Sequence, residues 1–564
     1  MSIDTMTAIN AGPTPLIAAI CDDLGLESTL NELLPWHPSY RELSPGTLVK
    51  ALIINILTSR TPLYLVEEFY DDHDVELLLG SNVKASQLND DALGRVLDLL
   101  HKSEAWRVYS TWSLRVLDRL GLSLGALHND TTSVSLQGAY LDTADLAVTY
   151  GHSKDKRPDL KQILMGMGVT PERLPIFAKV EDGNLHDRPW NFAFISRMRE
   201  MLSDEQWSGM TYVSDSALVS PDNIALLMKQ GGAFITRLPD TYKLCSELKQ
   251  AAIADNEWQQ HGKLASATNS SHYRSASFTR RLYDHEFRFM VVHSSRLYEL
   301  QHKTLLRKVE KERIAIHEAA SKLMKQTYSC AQDAETALAS ILKKSQYKWH
   351  ACQMAVEQET YSLTRKKRGR PKAGEVPEEG IRYRIQAQAI QQLQERIAEE
   401  EKQLGMFVLM TSHREDETWT DLRVLQTYKG QDAAETRFRL LKNPTILNAV
   451  YVKTPRRIEA LGIVFVMALM VYGVMEWRVR EQLKRDNEPM LVAGKKKSMR
   501  PTAEMMLSML SVMQVMQVRM QDGTRFRQID DGIPEKKRRI IECAGYSMDI
   551  YITPPAALNR SPSQ

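Results

Sequence analysis

The chain has 564 residues, too many for one compact domain, and its length points to about three or four. With 73 Lys and Arg against 70 Asp and Glu the net charge is +3, which excludes a polycation of the histone kind and makes any nucleic-acid surface a local one. Cys21, Cys245, Cys330, Cys352 and Cys543 are scattered without the paired spacing of a zinc site, so reduced thiols in the cytoplasm are the simplest expectation. No basic, apolar leader opens the sequence, so secretion is not expected.

Residues 1–120 read as a small helical N-terminal domain. Ser44 and Pro45 supply an N-cap and a first-turn proline before Leu48, Val49, Leu52, Ile53, Ile56 and Leu57. Asn89 caps a helix with Leu93, Val96, Leu97 and Leu100 on one face. Asp90 and Asp91 are then first-turn acids favoured by the helix dipole rather than a catalytic pair.

From 121 to 240 strands and helices interleave, which predicts an α/β core. Strands are expected over Leu127–Leu136, Ile176–Val180, Tyr212–Val213 and Ala233–Thr236, with a helix over Ile224–Lys229. Residues 241–405 interrupt that core: strand-like runs such as Phe287–His293 precede two charged stretches, 297–345 and 384–404, that read as a helical hairpin. Its tip holds Arg365, Lys366, Lys367, Arg368, Gly369, Arg370, Pro371 and Lys372, which is either a hook for a narrow minor groove or a solvated loop touching phosphates. The core resumes over 406–450, and 451–564 reads as a helical C-terminal region with a disordered tail. Between Glu459 and Glu476 an uncharged run spans about 16 residues, short of the ~20 a bilayer requires, so a buried helix is expected. Met505, Met509, Met513, Met516 and Met520 recur at helical spacing and read as a packing face.

Chemistry concentrates in three places. Tyr428, Gln431, Glu435 and Lys442, read as one continuous helix, fall at roughly 0°, 300°, 340° and 320°, a narrow polar stripe unsuited to a core. Asp130 lies within an expected strand and Asp215 directly after another. Two carboxylates on neighbouring strands and one on a helix would offer hard oxygen donors for Mg²⁺ or Mn²⁺. Composition alone does not single these three out among 70 acidic residues.

The surrounding motifs do. Tyr428, Gln431, Glu435 and Lys442 resemble the Tyr-x2-Arg-x3-Glu-x6-Lys signature of bacterial insertion-sequence transposases of the DDE class, with Gln431 in place of the arginine. Asp130, Thr131 and Thr132 are similar to the family's first aspartate block. Val213, Asp215, Ser220 and the run Phe234, Ile235, Thr236, Arg237 are similar to its second. Lys154, Arg157, Pro158 and Asp159 resemble the block between the two, and Gly183, Asn184 and Asp187 the turn that follows. Asp159 itself, amid Lys and Arg, reads as part of a salt-bridged loop.

The resemblance implies an RNase H-like core interrupted before the glutamate, with Asp130, Asp215 and Glu435 as the catalytic, metal-binding triad for two Mg²⁺ ions, Mn²⁺ substituting. It implies that Tyr428, Gln431, Arg439 and Lys442 contact DNA near the cleaved end, while Arg368 and Arg370 are the basic loop's candidates. The partners it implies are double-stranded DNA, as element ends and target, and a homodimer or larger assembly on that DNA. It implies a cytoplasmic, nucleoid-associated bacterial protein with no membrane partner. A catalytically inactive DNA-binding descendant of such an enzyme is the alternative.

Overall fold

The computed structural model describes residues 3–37, 39, 42–138, 140, 146–151, 157–264, 270–344, 347–363, 379–441, 452, 454–492, 496–522, 525–530 and 532–554. They form two compact units. The first comprises residues 1–237, 281–287 and 411–564; the second comprises 238–280 and 288–410.

A mixed sheet lies at the heart of the first unit. Five of its nine strands run in the order Pro175–Glu181, Lys161–Val169, Ala126–Leu136, Thr211–Ser214, Ala233–Arg237. Each of the first three is antiparallel to the next of the three, and the last two run parallel to Ala126–Leu136 and to each other. Thr211–Ser214 is buried at every position, and its polar ends are satisfied there, Thr211 by His413 at 2.9 Å and Ser214 by Asn191 at 3.2 Å. The strand Lys161–Val169 had no counterpart among the expected elements. Its Gly166 and Gly168 weaken the local β signal, yet a Cβ on Gly166 would stand 1.9 Å from Cζ2 of Trp190, and one on Gly168 2.7 Å from Leu127. Glycine lets the helix Asp187–Met201 lie flush on the sheet there.

Helices surround this sheet as their caps dictate. Ser44 accepts from the Thr47 amide to start Pro45–Leu57, and Asn89 from the Ala92 amide to start Asp90–Lys102, where Asp90 and Asp91 occupy the first turn. The apolar run belongs to a helix, Pro455–Asp486, that packs against Asp90–Lys102, Pro45–Leu57 and the Pro175–Glu181 strand. At 32 residues it is long enough to cross a bilayer, so length does not separate the two readings as expected. Burial does: 94% of its most apolar window lies inside the protein.

The ends of the first unit are not wholly helical. Ile3–Asn10 pairs antiparallel with Gln514–Met520, which pairs with Arg525–Ile529; Met490–Val492 and Lys496–Ser498 form a hairpin. Met516 and Met520 therefore sit in a strand beyond the end of the helix Ala503–Leu510, and the methionine stripe does not form. A partner some 500 residues away in sequence decides that strand, and local spacing cannot register it.

In the second unit one run of four strands has the order Met406–Thr411, His285–Ser294, His272–Leu282, Gln259–Lys263. Its long helix, Ser295–Met324, packs through Leu305 and Val309 against Ile397, Trp349 and Leu404. The first arm of the expected hairpin is helical, as Ser295–Met324 and Ala331–Lys344, but the second is corrected: only Gln394–Lys402 is helix, and Glu379–Gln392 is a strand paired antiparallel with His350–Ser362 and, at its other edge, with Thr327–Tyr328. Ile381, Tyr383, Ile385, Ala387 and Ala389 alternate with Arg and Gln, a period of two masked by residues that favour helices.

Candidate active site

Asp130 and Asp215 come together through register. His128 is the Cα partner of Val213 across the parallel pair, and each acid lies two residues further on its own chain. They thus stand level at the carboxyl side of adjacent parallel strands, where open α/β sheets place their ligands. Asp130 accepts from the Thr131 amide at 2.7 Å. Asp215 caps the short helix Ser216–Leu218 by accepting from the Ala217 amide at 3.0 Å, and its carbonyl oxygen accepts from the Thr236 hydroxyl at 2.6 Å.

Alternation along the strand sorts its side chains. His128 and Asp130 share one face; Asn129 and Thr131 share the other. On the second face the Thr131 hydroxyl donates to Asp187 at 2.6 Å and the Asn129 amide to Asn191 at 3.1 Å. On the first face His128 is 1% exposed, and burial pushes its imidazole down to about 4, so the ring is neutral near pH 7. A Cβ on Gly430 would stand 2.9 Å from that ring.

Gly430 marks a departure from the single-helix stripe. One helix, Asp421–Lys429, ends there, and Glu435 belongs to the next, Asp432–Leu441. Between them the amides of Gln431, Ala433 and Ala434 donate to the carbonyls three residues back, at 3.1, 2.9 and 3.1 Å. The tighter winding of such bonds fits the chain past His128 and shifts Tyr428 out of the assumed phase with Glu435. The first helix packs on the Ala233–Arg237 strand, the second on the Asp130 strand and its neighbour Lys161–Val169.

Tyr428 nevertheless reports on the acids. Its hydroxyl is pushed up to about 12, by burial first; Arg237 opposes this, while the carboxylates of Asp215 and then Glu435 add to it. The phenol thus lies within the field of both carboxylates and of Arg237. Glu435 and Arg439, one turn apart, are exposed, and Gln431 is half-buried. Arg437 points the other way: fully buried, it donates to the Arg173 carbonyl at 2.7 Å and to Glu476 at 3.0 Å. Lys442, Arg368 and Arg370 lie outside the described residues. Arg157 and Asp159 form an exposed ion pair at 2.8 Å.

Among the described residues, no group of three or more His, Cys, Asp or Glu is drawn close enough to hold a metal ion. The three carboxylates therefore share a region of the sheet without closing into a ligand set. Their donor chemistry, oxygen only and anionic, suits a hard divalent cation. Sequence reasoning missed Asn191 and the electrostatic role of Arg237. Asn191 stands mid-helix with no spacing signal, whereas Arg237 was visible as the end of the second acid's block.

Residues 9–114 match the family described as Domain of unknown function (DUF4277), which covers the helical N-terminal part alone. Among solved structures the chain is similar to a piggyBac transposase in a synaptic complex with hairpin DNA, at 9% identity over 89% of this chain and 80% of that one, with a TM-score of 0.36. A likeness at that level carries no residue correspondence. No curated protein matches. The fold and site together define a mixed α/β protein with acids at the carboxyl side of its parallel strands.

Proposed function

We propose that the chain is a DNA transposase of the DDE class, which binds the terminal inverted repeats of its own insertion sequence, cleaves a strand at each end and transfers it to target DNA. The observation that carries this reading is the level placement of Asp130 and Asp215 on adjacent parallel strands, with the Glu435 helix packed on the Asp130 strand. The strand order, three antiparallel strands continued by two parallel ones, supports an RNase H-like core. Fold alone assigns no activity, so the reading rests on the acids and on the sequence motifs around them.

Asp130, Asp215 and Glu435 would hold two Mg²⁺ ions, with Mn²⁺ substituting. Bound there, the ions would activate an attacking oxygen and stabilise the leaving one in phosphoryl transfer. Tyr428, kept protonated by its surroundings, has a hydroxyl to donate to a phosphate oxygen. Arg439 adds an exposed cation one turn beyond Glu435, and Gln431 adds an amide where the related signature has arginine. Joining two ends in one event calls for a dimer or larger assembly on DNA, and the setting is the bacterial nucleoid.

A second reading, a DNA-binding descendant without catalysis, draws on Gln431 and on the open spacing of the carboxylates. DNA flanking the gene separates the two. Duplexes carrying those flanks, incubated with the protein and Mg²⁺, are expected to be cut at the repeat end to leave a 3′-hydroxyl. Tight binding without cutting in Mg²⁺ or Mn²⁺ would select the second reading.

A further inference from the structure

The helix Asp187–Met201 supplies none of the three acids, yet one of its side chains touches the strands of two of them. Asn191 is 2% exposed. Its Oδ1 accepts from the Asn129 amide at 3.1 Å, from the Tyr212 hydroxyl at 2.8 Å and from the Ser214 hydroxyl at 3.2 Å. Its Nδ2 donates to the Asp187 carbonyl at 2.8 Å, an atom that can only accept, and this fixes which way the amide points. Asp187 in turn accepts from Thr131 at 2.6 Å.

The donors, Tyr212 apart, are the immediate neighbours of the acids. Asn129 and Thr131 flank Asp130, and Ser214 precedes Asp215. Because side chains alternate across a strand, holding Asn129 and Thr131 on the helix side commits Asp130 to the opposite face. The seat of the helix is rigid: the Trp190 ring is fully buried and fills the space above Gly166, the register partner of Thr131.

We infer that Asn191 is a positioning residue, whose single amide oxygen ties the Asp130 strand to the Asp215 strand and sets the spacing and direction of the two carboxylates. The inference rests on the reading of Asp130 and Asp215 as metal ligands. Outer partners of metal ligands commonly change affinity by about 10–100-fold when lost.

The test is Mn²⁺ affinity, measured by calorimetry on the full chain, with thermal unfolding followed in parallel. Asp130→Asn is the control for the underlying reading: if it leaves Mn²⁺ binding unchanged, the acid site itself is wrong and the inference falls with it. With that control passed, Asn191→Leu, which removes the acceptor, is expected to weaken Mn²⁺ at least ~10-fold while cooperative unfolding persists. Asn191→Gln, which keeps both the acceptor oxygen and the amide donor to the Asp187 carbonyl, is expected to retain more of the affinity. Unchanged affinity in Asn191→Leu, or an equal loss in both variants, would overturn the role of the oxygen. Should Asn191→Leu not fold, Tyr212→Phe combined with Ser214→Ala removes two donors from the same oxygen. The same weakening is expected, and its absence would overturn the inference.

Discussion

Arg437 and Glu476 meet at 3.0 Å in the interior, one on the Glu435 helix and the other on the long apolar helix. The guanidinium lies 5.5 Å from the centre of the Tyr472 ring and also donates to the Arg173 carbonyl. Glu476 further accepts from Arg480 at 3.1 Å and from the Ala503 amide at 3.0 Å. The pair thus anchors the back of the helix whose front carries Glu435. Breaking one side of a buried pair leaves the other charge uncompensated, at a cost of about 3–5 kcal/mol. Glu476→Gln is expected to lower stability by that order in chemical denaturation, because it strands the charge of the fully buried Arg437. Adding Arg437→Met is expected to recover part of the loss, because it removes the stranded charge.

The sheet makes a second expectation. A Cβ at Gly166 would overlap the Trp190 ring, which is fully buried and has no open side to move toward. Gly166→Ala is expected to destabilise by more than the ~1–3 kcal/mol of ordinary overpacking, read as a fall in the midpoint of thermal unfolding. A variant as stable as the parent would show that the helix is not seated flush on the sheet.

These two sites also show what local sequence can carry. Caps and helical spacing announced Pro45–Leu57 and Asp90–Lys102, and alternating Thr, Ser and Val announced the Asp130 strand. Lys161–Val169 was hidden because its two glycines serve contacts with Trp190, Leu127 and Phe194, which no local pattern records. The Tyr428 stripe assumed one helix, but the chain turns more tightly after Gly430, where a side chain would crowd the His128 ring, some 300 residues earlier in the chain. Ile3–Asn10 and Gln514–Met520 become strands only by pairing with each other. The motifs around Asp130 and Asp215 marked the two strands that stand level in the sheet, whereas the amide that links those strands left no local signal.

His73 provides a pH dependence. Burial pushes its imidazole below the ordinary value, against smaller opposing effects of the Phe69 carbonyl and Asp72. Its Nδ1 donates to that carbonyl at 2.6 Å, and its ring lies 4.2 Å from the Phe69 ring. The folded chain therefore takes up the proton less readily than the unfolded one. The stabilisation from the neutral ring is complete above the unfolded value, near 6.5, and is lost as pH falls from there toward the lower folded value. Wild type is expected to lose stability relative to His73→Gln between pH 7 and pH 5 in parallel urea titrations. A constant difference would place His73 in water.

Arg439 is the exposed cation on the Glu435 helix. If it meets a phosphate, Arg439→Ala is expected to weaken binding to all duplexes alike and to reduce the slope of log K against log salt by about 1. A slope equal to that of wild type would remove it from the DNA surface.

The most direct test takes Asp130→Asn, Asp215→Asn and Glu435→Gln singly, with wild type, on duplexes carrying the flanks of the gene, measuring binding and Mg²⁺-dependent cleavage on the same samples. Each variant is expected to bind the DNA as wild type does and to cut it at least ~100-fold more slowly, since each removes a carboxylate that holds the ions. Full cleavage by any one of the three would contradict the assignment of the triad.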